Sequence, residues 1–136
     1  MVVLVDTNVI LDVLMKREPF AKDAREILIK CAMGEIKGYL ATHSIPNLFY
    51  ILRKNFTEKE RRSLIISLCD IFLISDLNTE KILSAAENDD FSDFEDCLQE
   101  ECAVEVMADY IVTRNPADFT KSRVKTIQPA ELLTIL

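Results

Sequence analysis

The chain begins with Met1-Val2-Val3-Leu4-Val5-Asp6-Thr7-Asn8-Val9-Ile10-Leu11-Asp12. The first five residues are apolar and mostly β-branched, which is typical of a central parallel strand buried on both faces. Helix-spaced apolar residues follow from Val9, so Thr7 or Asn8 is expected to be the N-cap of a first helix. Asp6 would then lie at the carboxyl end of a central strand, where open α/β sheets keep their ligand crevices. The alternative is that Asp6 only accepts hydrogen bonds from the helix N-terminus.

Length and composition indicate one globular domain that spans residues 1–136. The chain is 49% hydrophobic and 29% charged, and no apolar run approaches the roughly 20 residues that cross a membrane. No basic segment precedes an apolar one at the N-terminus, so we expect a cytoplasmic protein without a membrane partner. The cysteines lack CxxC spacing and lie in helical patterns, which favours core thiols; they are Cys31, Cys69, Cys97 and Cys102.

Charge is distributed unevenly along the chain. The net charge is −7, but ten of the 23 acidic residues and none of the 16 basic ones lie between Ile82 and Thr113. The rest of the chain is therefore mildly basic. This asymmetry fits a cation site within a surface that can meet phosphate, and it fits equally a solvated acidic helix face.

Strand-like apolar runs alternate with helix-spaced apolar patterns along the whole chain. We expect five strands, at residues 1–5, 39–41, 71–74, 110–112 and 124–127. Among the helices, one ends at Gly34, one opens at Thr42-His43-Ser44, one carries a capping box from Thr57 to Glu60, and one begins near Ser92. The alternation predicts a three-layer α/β/α fold with a five-stranded parallel sheet.

Acidic side chains are expected to converge at the carboxyl edge of this sheet. Asp6 follows the first strand, and Asp93 and Asp96 are spaced to share one helix face. Carboxylates from distant segments repel one another unless a hard divalent cation joins them. Mg²⁺ prefers oxygen ligands and keeps several waters, and such an ion readies a water for attack on a phosphodiester.

Three segments in order resemble the motifs of the PIN domain family. They are Val5-Asp6-Thr7-Asn8, Asp93-Phe94-Glu95-Asp96-Cys97-Leu98-Gln99, and Ile111-Val112-Thr113-Arg114-Asn115-Pro116-Ala117-Asp118-Phe119. Many bacterial members are VapC-type toxins of toxin–antitoxin pairs. The resemblance implies a Mg²⁺- or Mn²⁺-dependent endoribonuclease in which Asp6 and Asp96 bind the metal. It also implies a homodimer and a small antitoxin partner.

The chain departs from the family pattern at two positions where an acid is usual. Asn47 matches the usual glutamate of the helix after the second strand, and Asn115 stands where the Thr-Arg-Asp motif has its last acid. An amide offers an oxygen but no charge, so a single weakly bound metal is expected. Asp118 or Asp93 could supply the missing charge. Alternatively, Asn115 is an N-cap and Asp118 belongs to the first turn of a short helix.

Several further residues are candidates for supporting roles. Thr7 and Thr113 could hold a metal-bound water or a phosphate, or could act as structural caps. Arg114 could track an RNA backbone, as could Lys16, Lys121 and Arg123. His43 is more consistent with a cap than with a proton-transfer group. The chain is therefore predicted to be a metal-dependent endoribonuclease toxin. The alternative is a weakened or inactive module that binds RNA or a protein.

Overall fold

Five strands form one sheet in the computed structural model, which describes all 136 residues. They are β1 (Val2–Val5), β2 (Lys37–Ala41), β3 (Leu73–Ser75), β4 (Tyr110–Val112) and β5 (Thr126–Ile127). The helices are α1 (Thr7–Leu14), α2 (Ala21–Ala32), α3 (Ser44–Ile51), α4 (Glu58–Ile71), α5 (Thr79–Ala86), α6 (Phe94–Glu105) and α7 (Pro129–Ile135). Two 3₁₀ turns cover Leu52–Lys54 and Pro116–Phe119.

The strand order is β3-β2-β1-β4-β5, and every neighbouring pair is parallel. The apolar opening stretch is thus the middle strand, with Val3, Leu4 and Val5 fully buried. The chain leaves β1 toward β2 and β3 and later returns to β4 on the other side of β1. The connections therefore diverge at the carboxyl end of β1, which is the switch point where such sheets bind ligands.

Side chains of the sheet alternate between two apolar layers. Val3 and Val5 pack with the cluster built by α1, α2, α4 and α7, whereas Leu4 packs on the opposite face with residues of α6. This alternation follows from the period of two in a strand. The predicted α/β fold with a five-stranded parallel sheet between helical layers is confirmed.

Local predictions differ in accuracy. The capping box from Thr57 to Glu60 is present, with both of its hydrogen bonds. The third strand begins at Leu73, two residues later than predicted, because α4 extends through Ile71. The fifth strand is shorter than predicted, covering Thr126–Ile127. Cys69 is exposed, so the prediction of core thiols holds only for the other three cysteines.

Part of the acidic segment lies inside the protein. Glu100 and Glu101 of α6 are 1% and 9% exposed. Arg123 bonds Glu100 at 2.9 Å and Glu101 at 2.7 Å, and its backbone amide also donates to Glu100. These acids are therefore neutralised structural groups, which leaves the acids of the first turn of α6 as candidates for chemistry. No helix of the chain is long and apolar enough to span a membrane.

Candidate functional site

Asp6 is fixed at the carboxyl end of β1 by its own helix. Its carboxylate oxygen Oδ1 accepts a hydrogen bond from the backbone amide of Thr7 at 2.7 Å, so Asp6 is the N-cap of α1. The prediction that Thr7 or Asn8 caps this helix was therefore wrong by one or two residues. The alternative interpretation of Asp6 also applies, because one of its carboxylate oxygens accepts a hydrogen bond from the helix N-terminus.

The second carboxylate oxygen of Asp6 is held from the neighbouring strand. Thr113, fully buried directly after β4, donates its hydroxyl to Oδ2 at 2.8 Å. That hydroxyl oxygen in turn accepts bonds from the side chain of Asn8 at 3.3 Å and from the backbone of Asn115 at 3.1 Å. The hydroxyl direction is thereby fixed, and the orientation of the Asp6 carboxylate is fixed with it.

A third support reaches Asp6 from α6 and α3. Gln99 is 3% exposed and donates its side-chain amide to Ser44 Oγ at 3.1 Å and, at 3.4 Å, to Asp6 Oδ1. Ser44 is fully buried and also accepts from the Thr7 hydroxyl at 3.1 Å. The amide oxygen Oε1 of Gln99 is buried without a hydrogen-bond partner. These hydrogen bonds connect the N-termini of α1 and α3 with the first half of α6.

The acids of α6 stand beside this point. Asp93 is the N-cap of α6 and accepts the amides of Glu95 at 2.7 Å and Asp96 at 3.2 Å through one oxygen. The helix begins at Phe94, two residues later than predicted, and Asp93 is its N-cap, three positions before Asp96. Its other carboxylate oxygen has no such role in the cap.

The charges of these acids reinforce one another. Burial raises the pKa of Asp96 to about 7, assisted by the negative charges of Asp93, Asp6 and Asp118. Burial likewise raises the pKa of Asp6, against the lowering effect of its bonds from Thr113 and Thr7. None of these four acids forms an ion pair, because the salt bridges of the chain all involve other carboxylates. The site therefore carries uncompensated negative charge.

The segment after β4 brings one more acid toward this cluster. Asn115 occupies the N-cap position of the 3₁₀ turn Pro116–Phe119, as the alternative interpretation predicts, but its side chain makes no capping hydrogen bond. Asp118 is exposed within that turn. Its charge raises the pKa of both Asp6 and Asp96. Asp118 thus lies on the same side of the molecule as the other acids.

Residue 47 is also at this edge, and its side chain has a partner. Asn47 on α3 donates its side-chain amide to the carboxylate of Glu95 on α6 at 3.0 Å. His43, just before α3, is close enough to Glu95 for that charge to raise its pKa, but burial has the larger effect and lowers the pKa of the ring. Both ring nitrogens of His43 are buried without a partner.

The donor set fits a hard divalent cation in its chemistry. The groups that face one another are carboxylate, hydroxyl and amide oxygens, and the acids lack a cationic partner. No three His, Cys, Asp or Glu side chains are close enough together to enclose a metal ion directly. Mg²⁺ is commonly held by one or two carboxylates and its own waters, so Asp6 and Asp96 are the residues that could hold such an ion.

Arg114 is engaged inside the protein. Its guanidinium donates to both oxygens of Asp12, at 2.9 and 3.2 Å, and lies over the ring of Phe20, 4.3 Å from the centroid. Asp12 is 1% exposed. Arg114 therefore neutralises a buried carboxylate, while 27% of its side chain remains accessible to solvent.

Sequence reasoning missed four residues that contribute to the site. Ser44 and Gln99 carry the buried network, Asn8 bonds Thr113, and Glu95 contacts Asn47. The only available signal was their position within the motifs or directly beside the predicted strand ends. Nothing in the spacing distinguishes a buried glutamine of α6 from an exposed one.

Comparisons with known proteins agree with this architecture. A family model described as PIN domain matches residues 2–117. The structure of VapBC2 from Rickettsia felis bound to a DNA fragment from its promoter is similar with a TM-score of 0.70 and 16% identity, covering 94% of this chain and 98% of that one. FitAB bound to an IR36 DNA fragment gives a TM-score of 0.66 and 18% identity, covering 93% of this chain and 94% of that chain.

The third comparison is FitAcB from Neisseria gonorrhoeae, with a TM-score of 0.64, 18% identity, and coverage of 94% of this chain and 98% of that one. At these identities the likeness concerns the fold. Curated protein sequences gave no match.

Proposed function

This chain belongs to the PIN domain family, and we propose that it is a metal-dependent endoribonuclease, the toxin of a type II toxin–antitoxin pair. The observation that carries the proposal is that Asp6, at the switch point of the sheet, raises the pKa of Asp96, although the two are ninety residues apart in sequence. Neither carboxylate forms an ion pair with a basic side chain. A protein maintains such repulsion mainly where a ligand relieves it.

Asp6 and Asp96 would hold Mg²⁺ or Mn²⁺, with Asp93 or Asp118 contributing further charge. When bound, the cation neutralises the acids and supplies Lewis-acid activation of a water for attack on a phosphodiester. The chain itself supplies rigidity. Thr113 and the amide of Thr7 hold Asp6 in one orientation, which keeps the site organised before substrate arrives.

We propose RNA as the substrate class and the cytoplasm as the compartment in which the chain acts. Basic side chains outside the acidic segment would contact its phosphates. The accessible part of Arg114 is one candidate. Thr7 adjoins Asp6, and Asn115 is linked to Asp6 through the hydroxyl of Thr113. Both residues could contact a phosphate or a metal-bound water.

A protein partner is proposed on the face formed by α3 and α4. A groove of about 760 Å³ runs between these helices and is lined mainly by apolar residues, including Phe49 and Tyr50. Tyr50 is 63% exposed and Ile66 is 66% exposed. Large exposed apolar surface marks interaction sites. The similar structures VapBC2 and FitAB are complexes by name, which supports a small antitoxin partner, and we also propose a homodimer.

A second function is favoured by two observations. Asn47 and Asn115 stand where acids are expected, and no three potential ligands enclose a metal directly. The chain would then be a module that binds RNA or a protein without cutting. In that case calorimetry at millimolar Mn²⁺ would show no binding, and the double variant Asn47→Glu, Asn115→Asp would gain activity.

RNA cleavage assays test the main proposal. Purified protein is incubated with single-stranded and structured RNA while Mg²⁺ or Mn²⁺ is titrated, with Asp6→Asn and Asp96→Asn prepared in parallel. Cutting that requires the cation and is lost in both variants supports the proposal. Equal cutting by all three proteins would assign the activity to a contaminant.

A further inference from the structure

An exposed aromatic ring is held in place by the arginine that follows Thr113. Phe20, directly before α2, is 41% exposed and belongs to none of the apolar clusters of the core. The guanidinium of Arg114 lies over the ring, 4.3 Å from its centroid. A cation over a ring face attracts the ring electrostatically. The ring of Phe20 is thus oriented by a contact with a charged group without being buried.

The residues around this ring carry an excess of positive charge. Arg114 donates to both oxygens of the buried Asp12, and Arg17 places a second guanidinium 3.7 Å from the same carboxylate. The side chains of Arg17 and Arg114 remain 36% and 27% exposed. With the exposed Lys16 and Glu18, three bases stand against two acids, which gives a local charge of +1 in a chain of net charge −7. This part of the surface can therefore attract an anion.

The two arginines lie close to the acid site. Asp12, which both of them contact, follows Asp6 by six residues on α1, a rise of about 9 Å along the helix axis. Arg114 directly follows Thr113, whose hydroxyl bonds Asp6 at 2.8 Å, and its backbone amide donates to the side chain of Asn8 at 3.2 Å. A nucleotide adjacent to one held at Asp6 would therefore be within reach of the arginines and of the ring that one of them covers.

We propose that Phe20 stacks on a base of single-stranded RNA and that Arg17 and Arg114 contact the phosphate of the same nucleotide. The proposal rests on the RNA substrate class of the proposed function. Aromatic rings bind unpaired bases by stacking, and neighbouring arginines contact the backbone of the strand. A duplex keeps its bases within the helical stack, so these three residues select unpaired RNA.

Binding of a short single-stranded RNA tests this assignment without depending on cutting. A fluorescein-labelled RNA of mixed sequence is titrated with the full chain in the presence of a chelator, and fluorescence anisotropy measures binding. Phe20→Leu keeps an apolar side chain beside Arg114 but removes the ring, whereas Phe20→Trp keeps a ring. We expect Phe20→Leu to bind roughly tenfold more weakly, the size of one lost base-stacking contact, and Phe20→Trp to bind like the parent. Thermal unfolding verifies that every variant is folded.

The salt dependence of the same titration tests Arg17. Arg17→Gln removes one guanidinium, while Arg114 still neutralises Asp12. The steepness of log affinity against log salt concentration should decrease by about one, as expected for the loss of one phosphate contact. Arg25→Gln is the matched control, because Arg25 is an exposed base of α2 without an ion pair, and it should keep the slope of the parent. An Arg17→Gln slope equal to that of the control would overturn the phosphate contact.

RNAs that lack one base distinguish stacking from a general loss of affinity. Each RNA of the series carries a single abasic position. At the position that meets Phe20, loss of the base should weaken binding to the parent roughly tenfold and leave binding to Phe20→Leu unchanged. Equal losses in both proteins at every position would overturn the stacking role, as would a Phe20→Leu variant that binds the complete RNA as tightly as the parent.

Failure of this inference can be distinguished from failure of the proposed function. If the parent cuts RNA with Mg²⁺ or Mn²⁺ and Phe20→Leu binds RNA like the parent, only the role of Phe20 is overturned. If the parent binds single-stranded RNA through Phe20 but cuts none with either cation, the role of Phe20 stands and the nuclease proposal is overturned. A parent that binds no single-stranded RNA, either in chelator or with Mg²⁺, overturns both.

Discussion

The hydroxyl of Thr113 donates a 2.8 Å hydrogen bond to the carboxylate of Asp6 across 107 residues of sequence. This bond joins the ends of β1 and β4, the two strands that flank the switch point of the sheet. It satisfies one oxygen of Asp6 while the amide of Thr7 satisfies the other. The acid is therefore oriented by the sheet itself.

Removing the hydroxyl of Thr113 should affect stability and metal binding together. Thr113→Val keeps the shape but leaves the partners of the hydroxyl, the Asn8 side chain and the Asn115 amide, without their acceptor. We expect a loss of about 1–3 kcal/mol in the free energy of unfolding and weaker Mn²⁺ binding. Urea unfolding and Mn²⁺ titration measure the two effects. Thr113→Ser, which keeps the hydroxyl, is the control, and a valine variant that equals the serine variant in both would refute the role.

Gln99 should separate stability from function. Gln99→Met removes the amide that contacts Ser44 and Asp6, but it also removes the buried oxygen that has no partner. The loss of stability should therefore stay below about 1 kcal/mol, whereas Mn²⁺ affinity and any RNA cleavage should fall. Chemical unfolding and cleavage rates are compared on the same preparation. A variant that is strongly destabilised and binds Mn²⁺ normally would show that Gln99 serves packing alone.

Stability should depend on pH through Asp96. Because burial and neighbouring acids raise its pKa from 3.8 to about 7, the folded chain holds a proton that the unfolded chain releases between these values. The contribution of this group to stability is therefore present below about pH 4 and is lost as pH rises toward 7. Thermal midpoints measured from pH 5 to 8 in a chelator should fall more steeply in the parent than in Asp96→Asn. Identical slopes would contradict the shift.

Arg114 should prove important for stability. Asp12 is 1% exposed, and Arg114 provides its bidentate partner. Arg114→Ala leaves a buried charge with only Arg17, 3.7 Å away, so we expect a loss of about 3 kcal/mol in the free energy of unfolding. Chemical denaturation measures this loss. If Arg114→Ala is as stable as the parent but binds RNA less tightly, its main role is phosphate contact.

The sequence allowed the architecture to be predicted because the decisive signals are local. Residues 1–5 are apolar without interruption, and the capping box at Thr57 lies within four residues. The N-cap of α1 was misplaced because Asp6, Thr7 and Asn8 are all good caps, and only backbone geometry decides among them. The start of β3 was misplaced because Ile71 suits the last turn of a helix as well as a strand.

The candidate site could be predicted only where an acid follows a strand or matches a motif. Asp6, Asp96 and Asp118 are candidates on this ground. The burial of Glu100 and Glu101 depends on their hydrogen bonds with Arg123, which is more than twenty residues away. No local sequence pattern predicts such a pairing. The same holds for Gln99 and Ser44, whose contact joins two helices that only the complete fold brings together.

The position of a bound cation tests the central claim most directly. Crystals of the full chain are soaked in Mn²⁺, and anomalous scattering at the manganese edge locates the ion. We expect a single peak between the carboxylates of Asp6 and Asp96 that disappears in Asp96→Asn. A peak elsewhere on the molecule, or no peak at this edge of the sheet at millimolar Mn²⁺, would contradict the account.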